Sequence, residues 1–380
     1  MNSHYGLLDD SLQNHFSKAK TPPEMLKFIK KYVIYSENES KRGRHLFLIG
    51  NPLEKYSNYK LEMKEFNTKC LSFLINTATS SKNPKWSSES QAYLGVAYEL
   101  GLFGLEPNGK NAFSYYSVAA QQNNEDGTFR VGQCYEKGIG IKQNISNAIY
   151  FYRCSAKLGS IFGLHTYGSI LLRGELDTPS DFDTGLFYLK LATKKTDESY
   201  PYTYYDLGQS YESRTNVFEV EPDDDYAFRL YEKGANLNCP NSQYRLARAY
   251  ETGELFQKVN MKISIEYYFK SANNGQIDAQ YALSRYLFIG IENVLEQDLK
   301  NAYLYALKAA SRGQGEAAFT VGEFIETGCG TKKRELLALW WYTISSNFGN
   351  KKGQSKMANL RYEVNMKDDG SKRGSIFCCL

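Results

Sequence analysis

The chain has no apolar run long enough to cross a membrane, no CxxC pair and only four histidines. Each absence excludes something. A bilayer-spanning helix needs ~20 mostly apolar residues, and the most apolar stretch, residues 336–344, falls far short. Residues 1–10 include acidic side chains and no apolar segment of the kind a secretory leader has, so the expected compartment is the cytosol. The seven cysteines, Cys70, Cys134, Cys154, Cys239, Cys329, Cys378 and Cys379, are odd in number and lack metal spacing. That argues against a disulfide framework or a zinc site and for a reducing environment. Charge of one sign is not in large excess either. Forty-six basic against 42 acidic residues leave +4, too weak a field to draw nucleic acid. No GxSxG, HExxH, Walker-type or GxGxxG context occurs, so no catalytic residue, cofactor or metal is expected. The acidic run 219–225 lacks the alternating ligands of a calcium loop. It reads as a solvated insertion favouring the start of the next helix.

What is present is a repeat. Tyr93-Leu94-Gly95-Val96-Ala97-Tyr98 returns as Phe129-Arg130-Val131-Gly132-Gln133-Cys134-Tyr135, as Tyr205-Asp206-Leu207-Gly208-Gln209-Ser210-Tyr211 and as Tyr244-Arg245-Leu246-Ala247-Arg248-Ala249-Tyr250. A second block, clearest at Asn111-Ala112-Phe113-Ser114-Tyr115-Tyr116-Ser117-Val118-Ala119-Ala120, follows each copy of the first. Its opening small residue recurs at Ala112, Ala148, Gly185, Ala227, Ser264, Ala302 and Ala338, at intervals of 36, 37, 42, 37, 38 and 36. The small slot of the first block gives Gly95, Gly132, Gly168, Gly208, Ala247, Ser284 and Gly322. Two independent anchors thus agree on about seven units, and a period of this length predicts a repeat architecture.

Within the second block, small residues at offsets 0, 7 and 8 and aromatics at 3 and 4 fall on one helix face. The small positions, Gly95, Gly132, Gly168, Gly208, Gly322, Ala112, Ala148, Ala227, Ala302 and Ala338, are expected to let helix backbones approach while aromatics fill the space beside them. Glycine-rich turns, such as Lys137-Gly138-Ile139-Gly140-Ile141, separate the two helices of each unit. Each unit is then a helix hairpin too small to fold alone. Stacked units predict an all-α, right-handed superhelical solenoid over residues 87–349, preceded by a helical extension over 1–86 and followed by a mobile tail over 350–380. The 31 tyrosines are read as packing between repeats, not as a nucleotide or carbohydrate platform. His165, the one histidine inside the array, is read as a surface or partly packed residue.

These units resemble the Sel-one-like repeat, a relative of the tetratricopeptide repeat with a longer, glycine-richer turn. Secreted bacterial repeats of this type resemble one another in a regular cysteine pair, which is missing here. The order of irregularities is more specific: Leu171-Leu172-Arg173-Gly174-Glu175-Leu176, the insertion Asp197-Glu198-Ser199-Tyr200-Pro201, the long loop over 212–225, then Cys239-Pro240-Asn241-Ser242-Gln243-Tyr244. This succession is similar to the fungal chitin synthase activators. The resemblance implies a non-enzymatic scaffold that binds and activates or localises a membrane chitin synthase in cell wall or septum formation. The alternative is a general adaptor of the same fold in signalling or protein quality control. Family members resemble one another in a C-terminal prenylation box with cysteine fourth from the end, where this chain has Phe377. It ends instead in Cys378-Cys379-Leu380, like the double-cysteine endings of small vesicle-transport GTPases. Lipidation of Cys378 or Cys379, aided by Lys372 and Arg373, would hold the protein peripherally at the plasma membrane or division septum.

Overall fold

The computed structural model describes residues 21–42, 57–80, 83–212 and 221–357. Cys378, Cys379 and the start of the acidic run lie outside the described residues. Among the described residues the regular elements are helices, with one isolated bridge between Ile291 and Leu295. Two helices come first, α1 (Pro22–Arg42) and α2 (Ser57–Ala78). Seven pairs follow: α3 (Pro84–Leu100) with α4 (Gly109–Gln121), α5 (Glu125–Lys137) with α6 (Ile145–Leu158), and α7 (Ile161–Arg173) with α8 (Phe182–Thr193). The remaining pairs are α9 (Thr203–Tyr211) with α10 (Asp224–Asn236), α11 (Pro240–Thr252) with α12 (Met261–Asn273), α13 (Ile277–Ile289) with α14 (Leu299–Ala310), and α15 (Gly315–Thr327) with α16 (Glu335–Asn347). Residues 351–357 are again helical, with Asn350 accepting the Gly353 N–H at 3.0 Å. The chain is an all-α repeat solenoid.

It divides into two compact units, residues 1–227 and 228–380. In the first, Leu26, Ile29 and Val33 of α1 and Cys70 and Leu74 of α2 share one core with Leu94, Val96 and Ala97 of α3. In the second, a single cluster runs from Ala247 and Tyr268 through Leu283, Ala306 and Val321 to Trp341 and Tyr342. In six of the seven first helices the residue just before the small slot is aliphatic. Leu94, Leu207, Leu246 and Leu283 are fully buried, each stabilising the fold by roughly 1.5–3 kcal/mol relative to exposure.

The helices start and stop where their sequences say. Asn108, Asn144, Asp181, Asn260 and Asp298 each cap the second helix of a pair by accepting an N–H three residues on. Arg334 holds that place before α16 and makes no cap bond. Left-handed glycines at 101, 138, 174, 253 and 328 end the first helices. In the connections Gly138–Asn144 and Gly328–Arg334 a second left-handed glycine follows two residues after the first, and a side chain on Gly140 would run into the Gly109 carbonyl. Those from Gly101 to Asn108, Gly174 to Asp181 and Gly253 to Asn260 are one residue longer.

Candidate partner-binding surface

Two kinds of small-residue contact build the surface. The first lies inside each hairpin. A Cβ on Gly132 would come within 2.8 Å of the Tyr152 ring, and one on Gly322 within 2.6 Å of Tyr342. Gly95 faces Tyr116 in the same way, a Cβ on Gly168 would come within 3.0 Å of the Gly185 carbonyl oxygen, and Gly208 is buried on α9. Ala112, Ala148, Ala227, Ala302 and Ala338 have no exposed surface. The tyrosine that fills each gap is anchored at its far end. Tyr116 Oη donates to Glu99 at 2.6 Å, and Tyr152, Tyr268 and Tyr342 donate likewise to Glu136, Glu251 and Glu326. Burial, then the bond to the carboxylate, pushes the pKa values of Tyr152, Tyr268 and Tyr342 up, so these phenols stay protonated.

Where the tyrosine is replaced, its partner goes too. The third hairpin has Leu189 opposite Leu172, and the sixth has Ala306 where Phe288 takes the acid's place. The tyrosine slot is legible in the sequence and the glutamate is not, because a lone acid four residues after the small slot of the first helix looks like part of a solvated face. Aligning the hairpins shows that the two vary together.

The second contact lies between successive hairpins. A Cβ on Gly127 of α5 would come within 2.6 Å of Ala119 Cβ on α4, and one on Gly163 of α7 within 2.6 Å of the Ala156 nitrogen on α6. Serines at the place of Ala119 bond within their own hairpins: Ser155 Oγ donates to the Glu125 carbonyl at 2.9 Å, Ser271 to Pro240 at 2.7 Å and Ser345 to Gly315 at 2.8 Å.

Polar clasps reinforce the stack. In the first unit His165 Nε2 pairs with the Asp206 carboxylate, while Tyr200 Oη lies 2.8 Å from His165 Nδ1 and Arg173 is 3.6 Å from Asp206. The consistent tautomer has Tyr200 donating to Nδ1 and Nε2–H donating to Asp206. Both ring nitrogens are engaged, which fixes the imidazole between α7 and α9. In the second unit Glu251 accepts from Tyr268 and, at 2.5 Å, from Tyr286 of the next hairpin. Burial pushes the thiols of Cys70 and Cys134 up to about 12, which leaves them protonated and unreactive.

Among the described residues, each unit has an open hollow in its surface. One, of about 760 Å³ in the first unit, has Lys27 and Lys30 of α1 on one side and Trp86, Glu89, Glu125 and Asp126 on the other. Burial, with Asp126 adding like charge, raises the pKa values of Glu89 and Glu125 against the opposing pull of Lys30 and Lys85. The other, of about 680 Å³ in the second unit, is lined by Phe269, Leu287, Leu295 and Tyr305 with Glu296 and Asp298 at its rim. Among the described residues no cluster of His, Cys, Asp and Glu is placed to hold a metal ion, and no helix is long and apolar enough to cross a membrane. What these groups supply is recognition: mixed charge, aromatic rings and a fixed backbone.

The model of the Sel1 repeat matches residues 88–124, 126–160, 164–197, 201–239, 240–276 and 277–314. The chain belongs to the Sel1 repeat family. The seventh pair, α15 and α16, lies outside those matches yet repeats the glycine–tyrosine–glutamate arrangement of the Sel1 hairpins before it. The fold is similar to a Sel1 repeat protein from Oxalobacter formigenes, with a TM-score of 0.57 at 18% identity over 92% of this chain and 93% of that one. In sequence the chain is similar to chitin synthase regulator SKT5 of Saccharomyces cerevisiae, 29% identical over 72% of this chain and 39% of the relative. It is also similar to chitin synthase regulatory factor 3 of Schizosaccharomyces pombe, 25% identical over 79% of this chain and 32% of the relative. The chain therefore spans less than half the length of these relatives.

Proposed function

We propose that this Sel1 repeat chain is a non-enzymatic scaffold that binds a membrane chitin synthase and activates or localises it in cell wall or septum formation. The observation that carries the reading is the 29% identity to a chitin synthase regulator over 72% of the chain. The geometry supports it. The residues that recur from hairpin to hairpin form helix contacts, and the polar residues that vary lie on the surface. Activation by such a scaffold is differential affinity: it binds the working or correctly placed state of the synthase more tightly than the alternative. A lipid on Cys378 or Cys379 would add retention at the membrane where the synthase resides.

Cells from which the gene is deleted should make less chitin or abnormal septa, and the full chain should restore both. Unchanged chitin content and unchanged synthase location after deletion would contradict the reading. Mass spectrometry of the native C-terminal peptide tests the tail separately. A mass increment of one or two lipid chains is expected, and an unmodified peptide ends the anchor proposal.

A further inference from the structure

Three hairpins close with connections of equal length, and comparing the copies isolates one residue. In each, the capping residue donates its N–H back to the preceding helix: Asn108 to Tyr98 O at 2.7 Å, Asp181 to Leu171 O at 2.8 Å and Asn260 to Tyr250 O at 2.8 Å. Each also carries two consecutive left-handed residues. These are Phe103 and Gly104 (φ 56° and 81°), Leu176 and Asp177 (54° and 56°), and Leu255 and Phe256 (54° and 58°). The first of each pair is apolar and turned inward. The second faces solvent.

At the solvent-facing position, glycine adopts the left-handed region freely and aspartate readily, whereas a bulky aromatic is an outlier there. The first and third hairpins follow this rule. The fifth breaks it twice, since Phe256 is strained in its backbone and 82% exposed. Val259, 62% exposed, stands where the other copies have Pro107 and Ser180. The charges around the tip are not neutral in effect. Glu254 is tied to Arg245 at 2.9 Å, while Lys258 of this connection and Lys262 in the first turn of α12 are exposed.

We infer that Phe256, with Val259 beside it, is an anchor that inserts into an apolar pocket with an acidic rim on the partner protein. Backbone strain at an exposed aromatic has a reason where the aromatic is buried by something else. Aromatic anchors in desolvated pockets are the residues that dominate interfaces. The lysine collar selects an acidic rim, since matching charge guides encounter and fixes register. The inference rests on the reading above, that the partner is a chitin synthase.

The test is capture of detergent-solubilised chitin synthase, co-expressed with the full chain, by the wild type, Phe256→Asp and Phe256→Gly. Both substitutions install a residue that the sister connections already use. Capture should weaken at least about tenfold for either variant, while the melting temperature stays level or rises. Equal capture by all three proteins overturns the anchor and leaves the scaffold reading standing. A lowered melting temperature in both variants shows that Phe256 supports the fold, and overturns it too. Failure of the wild type to capture the synthase overturns the functional reading and the anchor with it.

Discussion

Glycine, alanine and serine at fixed places in this chain do one job, which is to set how closely two helices approach. The cost of adding a methyl group depends on what stands opposite. Gly132 faces chiefly the side chain of Tyr152, not backbone, and the fifth hairpin already carries Ala247 in the same slot. Gly163 faces the Ala156 nitrogen and the Ser155 carbonyl carbon, which cannot move without shifting α6. Gly163→Ala is therefore expected to destabilise the fold by about 1–3 kcal/mol, and Gly132→Ala by less; chemical denaturation of the two variants side by side checks the order.

Glu326 offers a test by pH. Burial alone would raise its pKa, but the Tyr342 hydroxyl and the Lys356 ammonium outweigh it and hold the carboxyl below its usual value of 4.5. A depressed folded-state pKa means that its stabilisation is complete above the unfolded value and is lost as pH falls through the folded one. The melting-temperature gap between wild type and Glu326→Gln should be largest near neutrality and close in acid. A gap independent of pH would remove the carboxylate from the account. The tyrosine and glycine slots were legible in the sequence because they repeat as a pair of letters in register. Phe256 was not, because its meaning depends on a backbone angle and an exposure that no spacing rule reports.

At the scale of elements, each second helix begins with an Asn or Asp cap except the last, where Arg334 occupies the position in an extended conformation without a cap bond. Supplying the missing cap with Arg334→Asn should stabilise the fold by about 1 kcal/mol, and Asn144→Ala should destabilise it by a similar amount. Calorimetry that shows no opposite-signed shifts would contradict the role given to these side chains. Helix positions and the turns between them were readable from apolar period and glycine. The stretch 197–201 was not. It reads as an insertion, yet Tyr200 sits 4.7 Å from the Phe162 ring centre and hydrogen-bonds His165. A tertiary contact, invisible to local pattern, gives that segment its place.

At the scale of the molecule, the repeat was the most legible feature, since two sets of anchors with one period leave little choice of architecture. The hollow bounded by α1 and the first hairpins was not legible, because α1 carries no repeat motif and its lysines meet Glu89 and Glu125 only in three dimensions. Function follows from what this scale provides. The described residues hold small-residue contacts, satisfied clasps and surface side chains that differ from hairpin to hairpin, which is the construction of a recognition device. The central claim is that such a device acts by binding a chitin synthase. Its most direct test is to add purified full chain to membranes that contain the synthase but lack this protein, and to measure chitin polymer formed. The account predicts a rise that saturates with added protein. A flat response, with the synthase present and active on its own and with no more of the chain retained than on membranes lacking the synthase, would contradict it.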